Sequence, residues 1–121
     1  MITAAKIPFA TITIGGQEYR LKINTQAAID AEKKLGTSLA RAWVRLDEIN
    51  VQTVILWAAF QAYNAGVTFE KAIDLRDQFM DEAENGMDDL ADVIKEVYIC
   101  SGFMKREPQK QDPENPEKNK A

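Results

Sequence analysis

A chain of 121 residues, 45% hydrophobic and 28% charged, is long enough to build one core without help from a disulfide or a metal. It has no histidine and a single cysteine, Cys100, which excludes an intramolecular disulfide and a structural zinc site and agrees with a reducing compartment. The formal charge is −4, with 10 basic and 15 acidic side chains in residues 1–104, so phosphate backbones are disfavoured partners.

The opening Met1-Ile-Thr-Ala-Ala-Lys6 is too short and too quickly polar for a signal peptide, and no apolar run reaches the length of a spanning helix. The expected location is therefore a cytoplasm, with no membrane partner. From Thr11 to Ile23 the pattern has period two. Ile12 and Ile14 alternate with Thr11 and Thr13, then Tyr19, Leu21 and Ile23 alternate with Arg20 and Lys22. Gly15-Gly16 between them supplies the positive φ angles of a tight hairpin turn. A lone hairpin is marginal in water, so its apolar face must rest on helices or join a larger sheet.

Asn24 or Thr25 is a natural N-cap for a first helix, with Ala28, Ile29, Glu32 and Leu35 at helical spacing. Gly36 fits the left-handed residue that stops it. Thr37 or Ser38 caps a second helix with Leu39, Trp43 and Leu46 on one stripe. A third is expected from Val51 to about Tyr63. It is apolar over nearly its whole circumference, with only Gln52, Thr53 and Gln61 polar, which makes it either the centre of the core or a surface shared with a partner. Asn64-Ala-Gly66 ends it, and Thr68 caps a fourth helix with Ala72, Ile73, Phe79 and Met80 inward. Asn85-Gly86 breaks the chain again before a fifth helix, Met87 to about Ser101, striped by Met87, Leu90, Ala91, Ile94, Val97 and Tyr98. Asp88, Asp89 and Asp92 crowd its positive end, where they favour the helix dipole.

Residues 105–121 hold three of the four prolines and no large apolar side chain, the composition of a disordered polar tail. The predicted protein is mainly α: an N-terminal β-hairpin and about five helices in one domain over residues 1–104, then the tail.

Three constellations hint at chemistry, and each has a plainer account. Leu35-Gly-Thr-Ser-Leu-Ala-Arg-Ala-Trp43 has the outline of a helix-turn-helix, but Glu32 falls where close packing wants a small residue and Arg45 where an apolar one belongs. Asp81, Asn85, Gly86, Asp89 and Asp92 fall on calcium-loop positions. Ala83 deletes the third ligand, however, and Asp88 takes a place that is usually apolar. A helix break followed by N-terminal acids accounts for the same residues. Cys100, on an apolar helix end with no histidine to activate it, reads as a small core residue. No catalytic residue, metal site or cofactor is expected, and the chain reads as a non-enzyme that binds other proteins.

The join of hairpin and helix, Thr11-Ile-Thr-Ile-Gly-Gly-Gln-Glu-Tyr-Arg-Leu-Lys-Ile23 followed by Ala27-Ala-Ile-Asp-Ala-Glu-Lys-Lys-Leu-Gly36, resembles the opening of tail assembly chaperones of long-tailed bacteriophages and prophages. Leu56-Trp57-Ala58 and Ser101-Gly102-Phe103 continue the likeness, which spans about residues 8–104. The resemblance implies a helical protein of the bacterial host cytoplasm that binds the tape measure protein, recruits tail tube protein, and is absent from the finished virion. It also implies a homo-oligomer. A structural tail or head-completion component kept in the virion is the alternative, and a small helix-turn-helix DNA-binding regulator a more distant one. Holding an apolar helix soluble requires anchors at helical spacing. The candidates are Trp57, Phe60 and Tyr63 on the third helix, with Trp43. The strand edges, through Ile12, Ile14, Tyr19 and Leu21, are the candidate self-association surface.

Overall fold

The computed structural model describes residues 8–82 and 84–106. A two-stranded antiparallel hairpin, β1 (Ala10–Ile14) and β2 (Gln17–Leu21), leads into α1 (Thr25–Leu35), α2 (Leu39–Ala42), a 3-10 turn (Trp43–Arg45), α3 (Ile49–Phe60), α4 (Phe69–Asp81) and α5 (Met87–Cys100). The fold is mainly α, as the periodicity predicts. Among the described residues no helix is long and apolar enough to cross a membrane.

The hairpin turns on Gly15 and Gly16, with φ of 61° and 76°, the two consecutive left-handed residues of a type I′ turn. Its register pairs Ile14 with Gln17, Ile12 with Tyr19 and Ala10 with Leu21. One face, Ala10, Ile12, Ile14 and Leu21, is buried, while Thr11, Thr13, Glu18 and Arg20 face outward. The hairpin needs no third strand because its apolar face lies on α3, α4 and α5. Hydrogen bonds hold it there. Gly15 N–H donates to the Glu82 carboxylate at 2.7 Å, Lys22 N–H to the Ala59 carbonyl at 2.9 Å, Ile23 N–H to Ser101 Oγ at 2.9 Å, and Asn64 Nδ2 to the Arg20 carbonyl at 3.0 Å.

Asn24 caps α1 by accepting from Ala27 N–H, and Gly36 ends the helix in the left-handed region. The buried face differs from the expected stripe. It is Ala27 and Ala31, four apart, and Ile29 is exposed. Two alanines bring α1 close to α3, and a longer side chain there would hold the axes apart. The second predicted helix is one turn of α-helix, capped by Ser38, that tightens into the 3-10 turn. The Glu32 carboxylate accepts from Leu39 N–H at 2.7 Å, so Glu32 serves α2 as a second cap from across the Gly36 turn.

α3 is the axis of the core. Val51 to Leu56 and Ala58 to Phe60 are all buried, and the helix ends three residues before the expected Tyr63. In α4, Ala72 and Phe79 point inward as expected and Leu75 joins them, whereas Ile73 is turned to solvent. On α5, Leu90, Ile94, Val97 and Tyr98 form the buried stripe, with Cys100 in the core beside them. The expected tail begins at residue 105. Lys105 and Arg106 are described, and Arg106 is forked onto Glu96 at 2.6 and 3.2 Å, while 107–121 lie outside the described residues.

Candidate functional site: two apolar hollows

One stripe of α3 approaches the surface at its two ends, across the buried Thr53. Ile49, Thr53 and Trp57 follow at four-residue intervals, and the last turn of that stripe is already occupied. The Phe69 ring meets Trp57 edge to face at 6.2 Å, and Lys34 Nζ stands 5.2 Å from the Trp57 ring and 4.7 Å from Phe69. The other end is open. Ile49 is 59% exposed and Ile73, across from it on α4, is 40% exposed. Between them lies a hollow of about 280 Å³ lined by Ile49, Asn50, Thr53, Phe69, Ile73, Arg76 and Asp77.

One lining residue, Arg76, is tied to a polar group of the core. Gln52 is 1% exposed, donates through Nε2 to the Met87 carbonyl at 3.1 Å, and accepts through Oε1 from Arg76 Nη2 at 3.0 Å. One amide thus ties α3 to α4 and α5. Arg76 Nε is buried and has no hydrogen-bond partner among the described residues.

A larger groove, of about 950 Å³, runs between the outer edge of β1 and α5. Phe9, Val93, Ile99 and Met104 supply its apolar surface, and Asp92, Glu96, Lys105 and Arg106 its charged rim. The fork from Arg106 holds the Glu96 carboxyl below the usual carboxylate range, against an opposing push from partial burial.

The predicted anchors do not gather on one face. Trp57 is half-buried beneath Phe69 and Lys34. Trp43 leans on Tyr98 at 5.2 Å, and Tyr63 is exposed but turned against Phe9 at 5.9 Å, where Arg20 covers the other ring. Phe60 requires correction. It is 0% exposed, under Tyr19 at 5.4 Å, because the hairpin covers that side of α3. The strand residues need the same correction, since Ile12, Ile14 and Leu21 point into the core and Tyr19 is half-buried. Only the backbone of an edge remains for association.

Of the two exposed isoleucines that line the smaller hollow, periodicity did not single out Ile49 and placed Ile73 inward. Extending the Thr53–Trp57 stripe back by four residues reaches Ile49, which is the signal that could have found it. Cys100 is buried, with Sγ 3.4 Å from the Val97 carbonyl, and Tyr98 Oη donates to the Leu39 carbonyl at 2.7 Å. Burial pushes the Tyr98 phenol well above its ordinary range, with the Glu32 charge adding to it. In the loop before α5, Asn85 Nδ2 donates to the Phe79 carbonyl and Asp89 accepts from Gly86 N–H, so both serve as helix caps. Among the described residues no three histidine, cysteine or carboxylate side chains converge as a metal site would require. What the two hollows offer is apolar contact with a charged rim. No protein-family model, curated protein or solved structure matches the chain.

Proposed function

We propose that this chain is a protein-binding chaperone whose client is an apolar helical segment. The observation that carries the proposal is the hollow between α3 and α4. Ile49 and Ile73 stay exposed on either side of it and face a common hollow, which the other exposed aliphatic side chains, Ile29 and Val44, do not line. Such a cleft accepts one or two apolar side chains of a helix laid across it, and Arg76 and Asp77 at its margin fix polar neighbours. The resemblance of residues 11–36 to tail assembly chaperones supplies the particular client, the tape measure protein of a long-tailed phage, with tail tube protein as the recruited partner. A helix-turn-helix regulator draws no support from α2, because a single turn is too short to lie along a major groove.

Co-expression tests the proposal. Tape measure protein made alone is expected in the insoluble fraction and, with this chain present, in the soluble fraction. Replacing Ile49→Asp together with Ile73→Asp is expected to abolish the rescue without changing the far-UV circular dichroism, since both side chains are at the surface. Unimproved solubility with the unaltered chain refutes the client assignment. Finding the chain by mass spectrometry in purified virions would favour a retained structural component.

A further inference from the structure

The geometry points to the outer edge of β1 as a self-pairing surface through which two copies of this chain join their hairpins into one four-stranded antiparallel sheet. In a hairpin closed by a two-residue turn, Ile14 and Gln17 exchange hydrogen bonds, and so do every second pair beyond them. The backbone groups of Thr11 and Thr13 therefore point away from β2. No described residue hydrogen-bonds to them.

The two edges of the hairpin are treated very differently. β2 carries Glu18 and Arg20 on its outward face, and Lys22 just beyond its end. The edge it presents is also occupied, Arg20 by the amide of Asn64 and Lys22 by the carbonyl of Ala59. β1 is Ala-Thr-Ile-Thr-Ile, with no charge, proline or bulge. Charged side chains, prolines and bulges are how isolated proteins protect an open edge, and this edge has none of them.

The occupant is a second copy because the surroundings complement themselves. The groove beside β1 has two acids, Asp92 and Glu96, and two bases, Lys105 and Arg106, on a body that is otherwise acidic. A partner selected by opposite charge would find nothing to select here. A two-fold pairing does. α5 runs antiparallel to β1, since Cys100 lies at the Leu21 carbonyl opposite Ala10, where β1 begins. From Asp92 to Cys100 it rises about 12 Å at 1.5 Å per residue. An antiparallel β1–β1 pair inverts that direction in the second copy, so Asp92 of each copy approaches the Lys105 end of the other. Beneath the joined strands, Val93, Ile99 and Met104 of both copies cover one another. An isologous pairing of this kind uses each open edge once and closes at two chains.

This assembly does not depend on which client the chain binds, and the two proposals fail separately. Sedimentation velocity of the full chain over about 1 to 100 μM is expected to show a reversible monomer–dimer equilibrium. Thr11→Lys with Thr13→Lys places a charge at both outward positions and is expected to raise the dimer Kd at least about tenfold, with an unchanged circular dichroism spectrum. Because strand substitutions can disturb folding, Asp92→Lys on the exposed face of α5 gives a second measure. It is expected to weaken the dimer about threefold or more at low salt, and adding Lys105→Asp is expected to restore it. A chain that is monomeric throughout, an assembly of more than two chains, or a dimer indifferent to the paired lysines would each overturn the inference.

Discussion

Replacing Gln52 with leucine isolates the contribution of the one buried amide that ties three helices together. The side chain is 1% exposed, so leucine of similar size fills the space and no cavity term dominates. What is lost is hydrogen bonding at both ends, the 3.1 Å bond to the Met87 carbonyl and the 3.0 Å bond from Arg76. A buried polar group left without its partner costs about 1–3 kcal/mol, while the net value of a satisfied bond is nearer 1 kcal/mol. Met87 and Arg76 are each only half-buried, so water reaches part of what is exposed, and the expected loss is about 2–3 kcal/mol. Arg76 carries the larger share. Its Nε is already buried without a partner among the described residues, and removing Gln52 strips the Nη2 bond from the same guanidinium. Replacing Arg76 with methionine alone removes that charge and leaves the Gln52 oxygen unpaired, at about 1–2 kcal/mol. The double substitution should therefore cost less than the two singles together, with a coupling of about 1 kcal/mol or more measured by urea unfolding. Additivity to within about 0.3 kcal/mol would refute the view that Gln52 works by holding Arg76.

Two further outcomes follow from the same inventory. Tyr98→Phe removes the buried 2.7 Å bond to the Leu39 carbonyl while keeping the ring against Trp43 and Phe103, and it should cost about 1–2 kcal/mol, read as a Tm lower by roughly 4–8 °C per kcal/mol in thermal unfolding. The Glu96 carboxyl is held below its unfolded value by Arg106, so the contact tying residue 106 to α5 is present above the usual carboxylate range and is lost as the pH falls through the lowered value. Amide exchange at residues 104–106 should accelerate there, and Glu96→Gln should give that fast exchange already at neutral pH.

The parts of the fold that were legible in the sequence are those where one residue type has one physical use. Gly15-Gly16 permits only a tight turn, Asn24 and Gly36 bracket α1, and the apolar run of α3 leaves it nowhere to go but the centre. Faces were less legible, for a reason visible in α1 and α4. Periodicity favours the largest apolar residue, yet Ala27 and Ala31 take the α3 contact because close approach needs small side chains, and Ile29 is left outside. On α4 the buried residues Ala72, Leu75 and Phe79 follow i, i+3, i+7 spacing, and Ile73, about 100° round the helix from Ala72, is left outside that stripe.

The candidate surfaces were harder still, because they depend on which sides of α3 the other elements cover. The hairpin takes Phe60, and Phe69 with Lys34 covers Trp57, so the two aromatics that a helical wheel offers as anchors are used within the protein. Among the surfaces left open are Ile49 at the first turn of α3 and the β1 edge beside α5. Both are termini of packing, where a sequence pattern carries the weakest information. That is also why they are the places where a partner gains most, since an exposed isoleucine or an unpaired strand edge is the surface whose removal from water has not yet been used to hold the fold together.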